Sequence, residues 1–270
     1  MTASSRSSLT SLLDSGITAQ SLLSLAAPGA VFDSALTDWP GLSRSQAASL
    51  LAAETAGVEN SGVREQFVGE RREGLMIAGE VEGEPIRQIL LATFDEHGRP
   101  TRIKSFFNRM LPFTTLRDRA KLAFDDLPAE AWDVPRLPAD TGEYSAKPNF
   151  AYSPALSFDS PVLRKNVSPE PVSSRVLGHA TSIYGAREWN EFSLDRGEKR
   201  MGYFDGGIKG RPVSIACVLR FDDGNLADIA ACARPWSAAL AIYSRIKGRL
   251  GEELGPEYFW AAQPDYESYL

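Results

Sequence analysis

Apolar and polar positions along the 270-residue chain fall into two periods. Helical spacing, with apolar residues three and four apart, runs through Ser8–Leu13, Ala19–Leu25, Ser43–Val58, Thr115–Phe124, Ser168–Tyr184 and Ser237–Leu250. Short, β-branched or aromatic apolar runs bounded by turn residues predict strands at Ile89–Phe94, Thr101–Phe107, Ile215–Phe221 and Leu226–Ala233. Ser43 is placed to cap its helix, and Ser168 followed by Pro169 reads as a cap with proline in the first turn. Asp95-Glu96-His97-Gly98 and Asp222-Asp223-Gly224-Asn225 supply the positive-φ positions of tight hairpins.

These elements recur. Pro28 to Ser34, with Phe32-Asp33-Ser34, matches Pro154 to Ser160, with Phe158-Asp159-Ser160; Gly83-Glu84-Pro85-Ile86 matches Gly210-Arg211-Pro212-Val213. Each strand pair ends near an arginine, Arg109 and Arg234, ahead of a closing helix. The offset stays within a few residues of 126, which predicts an old tandem duplication. The expected division is a complete copy over residues 8–124, a Pro-rich linker over 125–149, a second copy over 150–250 and an aromatic tail over 251–270. The second copy lacks a helical pair like Ser8–Leu13 and Ala19–Leu25; Tyr258, Phe259, Trp260, Tyr266 and Tyr269 are candidates to cap it or to pack between the copies.

The order helix, helix, strand, helix, then a strand meander resembles the NTF2-like superfamily, in particular its SnoaL-like and ketosteroid-isomerase-like branches. The residues that carry the likeness are Leu12 to Gly16, Leu22 to Ala27, Val31 to Ser34, Asp38 to Gly41, Phe94 to Arg99 and Arg109 in the first copy. In the second they are Phe158 to Val162, Gly210 to Pro212, Phe221 to Gly224 and Arg234 to Trp236. The resemblance implies an α+β fold: two tandem cone-shaped barrels of curved, mostly antiparallel sheet with helices. It also implies pairing of the two sheets as an intramolecular pseudo-dimer, the whole being a monomer or a further homodimer.

The resemblance places a general base at Asp33, and by repetition at Asp159, where an apolar cone mouth would raise a carboxyl's pKa. The competing reading is a strand-end turn. Other parts of the isomerase set are missing: Leu9 stands near the place of the expected tyrosine, and Leu90 or Cys217 near that of the second acid. Asp38 and Trp39 overhang the mouth or form an exposed turn. His179 is a candidate proton shuttle or a surface residue, with Glu54 near the matching position. Arg109 and Arg234 bind an anionic substrate group or make structural pairs across the two copies. Asn108, Tyr184 and Tyr203 are further polar candidates.

Bulk chemistry narrows the partners. A net charge of −6 without a dense basic run argues against nucleic acid. No apolar run reaches the ~18 residues of a membrane span, and the Ser-rich start does not read as a secretory signal, so a cytoplasmic location is expected. Two cysteines and two histidines give no metal spacing and no disulfide framework. No phosphate loop or nucleophile elbow is present, so no cofactor is expected. Two functions follow from the resemblance. One is a cofactor-independent isomerase, cyclase, dehydratase or lyase acting on a small apolar polyketide, steroid or aromatic molecule. The other is a non-catalytic binding or interaction scaffold.

Overall fold

A computed structural model describes residues 9–134, 151–183, 188–208 and 211–261. The chain begins with α1 (Leu9–Asp14) and α2 (Ala19–Leu25), then β1 (Val31–Asp33) and α3 (Arg44–Ala56). Four strands follow, β2 (Glu59–Val68), β3 (Arg72–Val81), β4 (Glu84–Phe94) and β5 (Pro100–Phe107), and then α4 (Met110–Ala123). The order then repeats from the strand onward: β6 (Tyr152–Asp159), α5 (Val172–Ile183), β7 (Glu188–Arg196), β8 (Lys199–Ile208), β9 (Arg211–Asp222), β10 (Asn225–Arg234) and α6 (Trp236–Leu254).

All ten strands form one mixed, unclosed sheet ordered β2-β3-β4-β5-β10-β9-β8-β7, with β1 parallel to β5 and β6 parallel to β10. This α+β arrangement fits the NTF2-like cone. Its two outer strands approach one another, where Lys199 pairs with Glu65 and Arg196 Nη1 lies 3.5 Å from the Gln66 carbonyl.

The register repeats residue by residue. Phe32 faces Ile103 and Asp33 faces Lys104; Phe158 faces Ile229 and Asp159 faces Ala230, every number 126 higher. Arg72 faces Thr93 and Lys199 faces Arg220, both 127 higher. The irregularity between Thr93 and Phe94, opposite Arg102 and Pro100, recurs between Arg220 and Phe221, opposite Asp228 and Leu226. Where the halves join, the single pair Phe107–Ala233 again links positions 126 apart.

Three apolar layers follow from strand alternation. Leu90, Ala92 and Ile103 turn to one face and pack under α1, α2 and α3 with Leu9, Leu12, Leu22, Phe32 and Leu51, filling the first cone. Ile89, Leu91 and Phe106 turn to the other face and meet Met201, Ala216, Val218 and Cys232 of the second half. Ile215, Cys217 and Leu219 then face the second cone with Phe158, Val176, Leu240 and Tyr243. Both faces of β4 and β9 are covered, which is why their sequences are unbroken apolar runs rather than alternating ones.

The helix ends have local causes. Thr18 with Ser21, and Ser43 with Gln46, form reciprocal capping boxes. The first N–H of α1 is taken by the buried Glu73 carboxylate, 2.8 Å from Leu9 N. The helix expected from Ser168 begins instead at Val172. Pro171 disfavours helical geometry at Glu170, and the Pro169 and Pro171 carbonyls accept from Val172, Ser173 and Arg175 as the helix starts. The join is also more structured than a linker over its described part. Leu127, Ala131, Trp132 and Val134 are buried, and Arg117 stacks 4.0 Å over Trp236 while donating to the Trp132 carbonyl. In the tail, Phe259 and Trp260 are buried beside α6, with the Tyr243 and Phe259 rings edge to face at 5.9 Å; Tyr266 and Tyr269 lie outside the described residues. No helix among the described residues is long and apolar enough to cross a membrane.

Candidate functional site

The two aspartates at the expected base position do not face the cones. Strand alternation sends Phe32 inward, so Asp33 points to the seam between the halves. There its Oδ2 accepts from Arg102 Nε at 2.5 Å, and Oδ1 lies 3.9 Å from Arg234 Nη2 of the other half. Asp159 behaves alike: Phe158 fills the second cone, and the carboxylate reaches back to the first half. It is 1% exposed, paired with Arg87, 3.0 Å from Arg109 Nη2, and accepts from Asn108 Nδ2 at 3.1 Å. Burial pushes its carboxyl up, against the opposing pull of Arg109 and Arg87. Arg109 holds φ +64° at the start of α4 while also donating to Asn166 Oδ1. Asp33, Asp159, Asn108, Arg109 and Arg234 thus assemble as two cross-half clusters.

The acid that does face the first cone is Glu54, on α3. It is 1% exposed and accepts from Ser34 Oγ at 2.6 Å, from the Ala35 amide at 3.1 Å and from Ser105 Oγ. Desolvation outweighs these bonds and the charge of Arg234, and the carboxyl is pushed up to about 7. Gln88 donates to Thr55 Oγ1 nearby on the same helix. The surrounding space is occupied by leucine, alanine and phenylalanine side chains of the first cone.

A third cluster lies in the seam itself. Arg102 and Lys104 alternate with Ile103 and Ser105 on β5, so both cations turn away from the cone. Lys104 is buried, donates to Tyr203 Oη at 3.3 Å, and stands 4.4 Å from that ring's centroid. Burial and then Arg102 lower the lysine's pKa; burial raises that of the tyrosine. Asp205, next along that face of β8, accepts from Ser214 Oγ at 2.5 Å.

The remaining candidates are dispersed. Asp38 is exposed, and Trp39 lies half-buried against the large core with Gly41 beneath its ring. His179 is half-buried on α5, away from the acids named above, and Tyr184 lies outside the described residues. Burial pushes the Cys217 thiol up to about 12 and the Cys232 thiol well up, so neither is poised as a thiolate. Among the described residues no group of three His, Cys, Asp or Glu side chains could hold a metal. Sequence reasoning missed Ser34, Ser105, Arg87, Arg102 and Lys104. One signal was available, since two cations at alternate positions of an otherwise apolar strand mark a face that is not plain core.

No protein-family model and no curated protein matches the chain. Among solved structures, it is similar to a steroid delta-isomerase from Pseudomonas aeruginosa, at 24% identity and TM-score 0.35, over 38% of this chain and 77% of that one. It is also similar to an uncharacterised bacterial protein with a cystatin-like fold from Silicibacter pomeroyi, at 14% identity and TM-score 0.39, over 46% of this chain and 91% of that one.

Proposed function

We propose that the chain is a diverged tandem duplication of an NTF2-like domain, folded back as an intramolecular pseudo-dimer, and that it works as a non-catalytic binding and interaction scaffold. The observation that carries this reading is the engagement of the candidate bases. Asp33 and Asp159 face arginines of the opposite half, not a cone interior, and the first cone is filled by Leu9, Leu12, Leu22 and Phe32. A general base needs reach to the proton it abstracts, and neither aspartate has a path into a cone. The recurring register supports the duplication.

Glu54 favours a second reading. A carboxyl held near 7 in an apolar cone has the proton affinity of a working acid–base catalyst, which keeps an isomerase- or lyase-type enzyme on small apolar molecules in play. A turnover screen of enone and ketosteroid substrates separates the two. The scaffold reading expects the wild type to match Glu54→Gln in every assay. Turnover that Glu54→Gln abolishes and Asp33→Asn leaves intact would replace it with the enzyme reading.

A further inference from the structure

Lys104 presents a physical problem that the fold does not solve. It is 7% exposed, yet no carboxylate among the described residues forms an ion pair with it. Its one hydrogen bond goes to a neutral phenol, Tyr203 Oη, so its ammonium is left with donors to spare. The acids nearby are already engaged: Asp33 by Arg102 and Arg234, and Asp205 by Ser214. Three cations, Arg102, Lys104 and Arg234, face two acids, Asp33 and Asp205, which leaves one positive charge in surplus. An uncompensated charge buried in this way is costly.

Beside the ammonium is a void of about 20 Å³ lined by Leu91, Thr93, Arg102, Lys104 and Tyr203. A guest the size of one water needs roughly 10–15 Å³ on this measure. The space therefore suits a single compact guest and is too small for a sulfate or phosphate. Arg102, half-exposed, stands at the edge of the cluster.

The fold alone does not demand this cluster. The repeated register carries Leu91, Thr93, Arg102 and Lys104 onto Val218, Arg220, Asp228 and Ala230, and Tyr203 onto Met76. At that opposite end Arg220 and Asp228 offset one another, and alanine and methionine stand in place of the lysine and the tyrosine. Only one of two structurally equivalent places gathers a surplus cation, a phenol donor and a void.

We propose that this end of the seam is a binding site for one compact monovalent anion, a halide or the carboxylate of a very small acid. Lys104 Nζ is its principal ligand, with Arg102, Tyr203 Oη and Thr93 Oγ1 around it. The inference does not depend on whether the first cone is catalytic.

The test is thermal unfolding of the full chain at constant ionic strength, with gluconate, too large for the void, replaced by chloride, bromide or formate. At ten times the dissociation constant a bound anion raises the Tm by roughly 3–6 °C, and Lys104→Met is expected to abolish the difference between anions. A wild type indifferent to the exchange, or a Lys104→Met variant with the same preference, would overturn the proposal. The relative response to chloride and formate shows which source the site favours. Should Lys104→Met fail to fold, anomalous diffraction from wild-type crystals grown in bromide decides the matter. A peak within hydrogen-bond distance of Lys104 Nζ is expected, and its absence there refutes the site.

Discussion

Replacing Glu54 by glutamine is expected to stabilise the protein, and to do so more strongly as the pH rises. In the unfolded chain this carboxyl titrates near its ordinary 4.5; in the folded protein burial holds the proton to about 7. Below the lower value both states are protonated, and the group's contribution to stability is fully present. Between the two values the unfolded state ionises while the folded state does not, so stability is lost as the pH rises through this window. Above about 7 the loss is complete. A gap of this width amounts to about 3 kcal/mol at ~1.4 kcal/mol per unit. Glutamine cannot ionise and keeps one oxygen for Ser34 Oγ and the Ala35 amide, while its amide turns to Ser105 Oγ. Urea unfolding of both proteins near pH 5 and near pH 8 should therefore show the advantage of Glu54→Gln widening by roughly 2–3 kcal/mol. Asp159 and Asp228 also have raised values, but they titrate alike in both proteins and cancel in the difference. A difference that stays flat between the two conditions would show that Glu54 is not held protonated by burial.

Other outcomes follow from the seam and the core. Asp159→Ala leaves Arg87 and Arg109 without their shared partner and should cost about 3–5 kcal/mol in denaturant unfolding, as breaking a buried pair does; Asp33→Ala should cost less, because Arg102 is half-exposed. Trp260→Ala should lower stability by about 3–5 kcal/mol if the described part of the tail is true core. Light scattering after size-exclusion chromatography should give a monomer of the chain's own 29.4 kDa mass, since the sheet faces are already covered within one molecule. Gly74→Met should destabilise by about 1–3 kcal/mol through overpacking, and a Gly74→Met/Met201→Gly double variant should recover most of that loss.

The parts of this structure that were legible in sequence are those fixed by local chemistry. Ser43 and Gln46 announce a helix start because both halves of the capping box lie within four residues. Asp95 announces a hairpin because its carboxylate takes the amides of His97 and Arg99, and Arg99 in turn holds that carboxyl below its usual range. What could not be read was the direction of side chains on strands buried on both faces. Between Phe32 and Asp33 only one can face the cone, and nothing local says which; the answer depends on which face meets α3 and which meets the second half. Glu54 is a related case. Its helix carries buried residues all round, because it packs against two cores at once, so periodicity does not mark one position as special.

The contacts nearest the relation between the halves argue that pairing within one chain has shaped the sequence. Gly74 and Met201 occupy equivalent places, 127 apart, and touch across the seam: a Cβ on Gly74 would run into the Met201 sulfur. Phe107 and Ala233, 126 apart, are likewise equivalent and paired. In a homodimer each such position meets its own copy, so both partners must be the same residue and the available volume must suit two of them. Here each contact matches one large residue with one small one. That complementarity is open to a fused pair and closed to a symmetric one, and it would be lost if either half associated with its own kind. Two isolated halves, if expressed separately, should consequently prefer each other to themselves. The same freedom from symmetry accounts for the cross-half clusters. Asn108 and Arg234 hold equivalent positions, each approaching the aspartate of the opposite half, but one is neutral and the other charged. Asp159 draws its charge compensation from Arg87 and Arg109 instead. Divergence at these paired positions fits selection on the halves as parts of one interface.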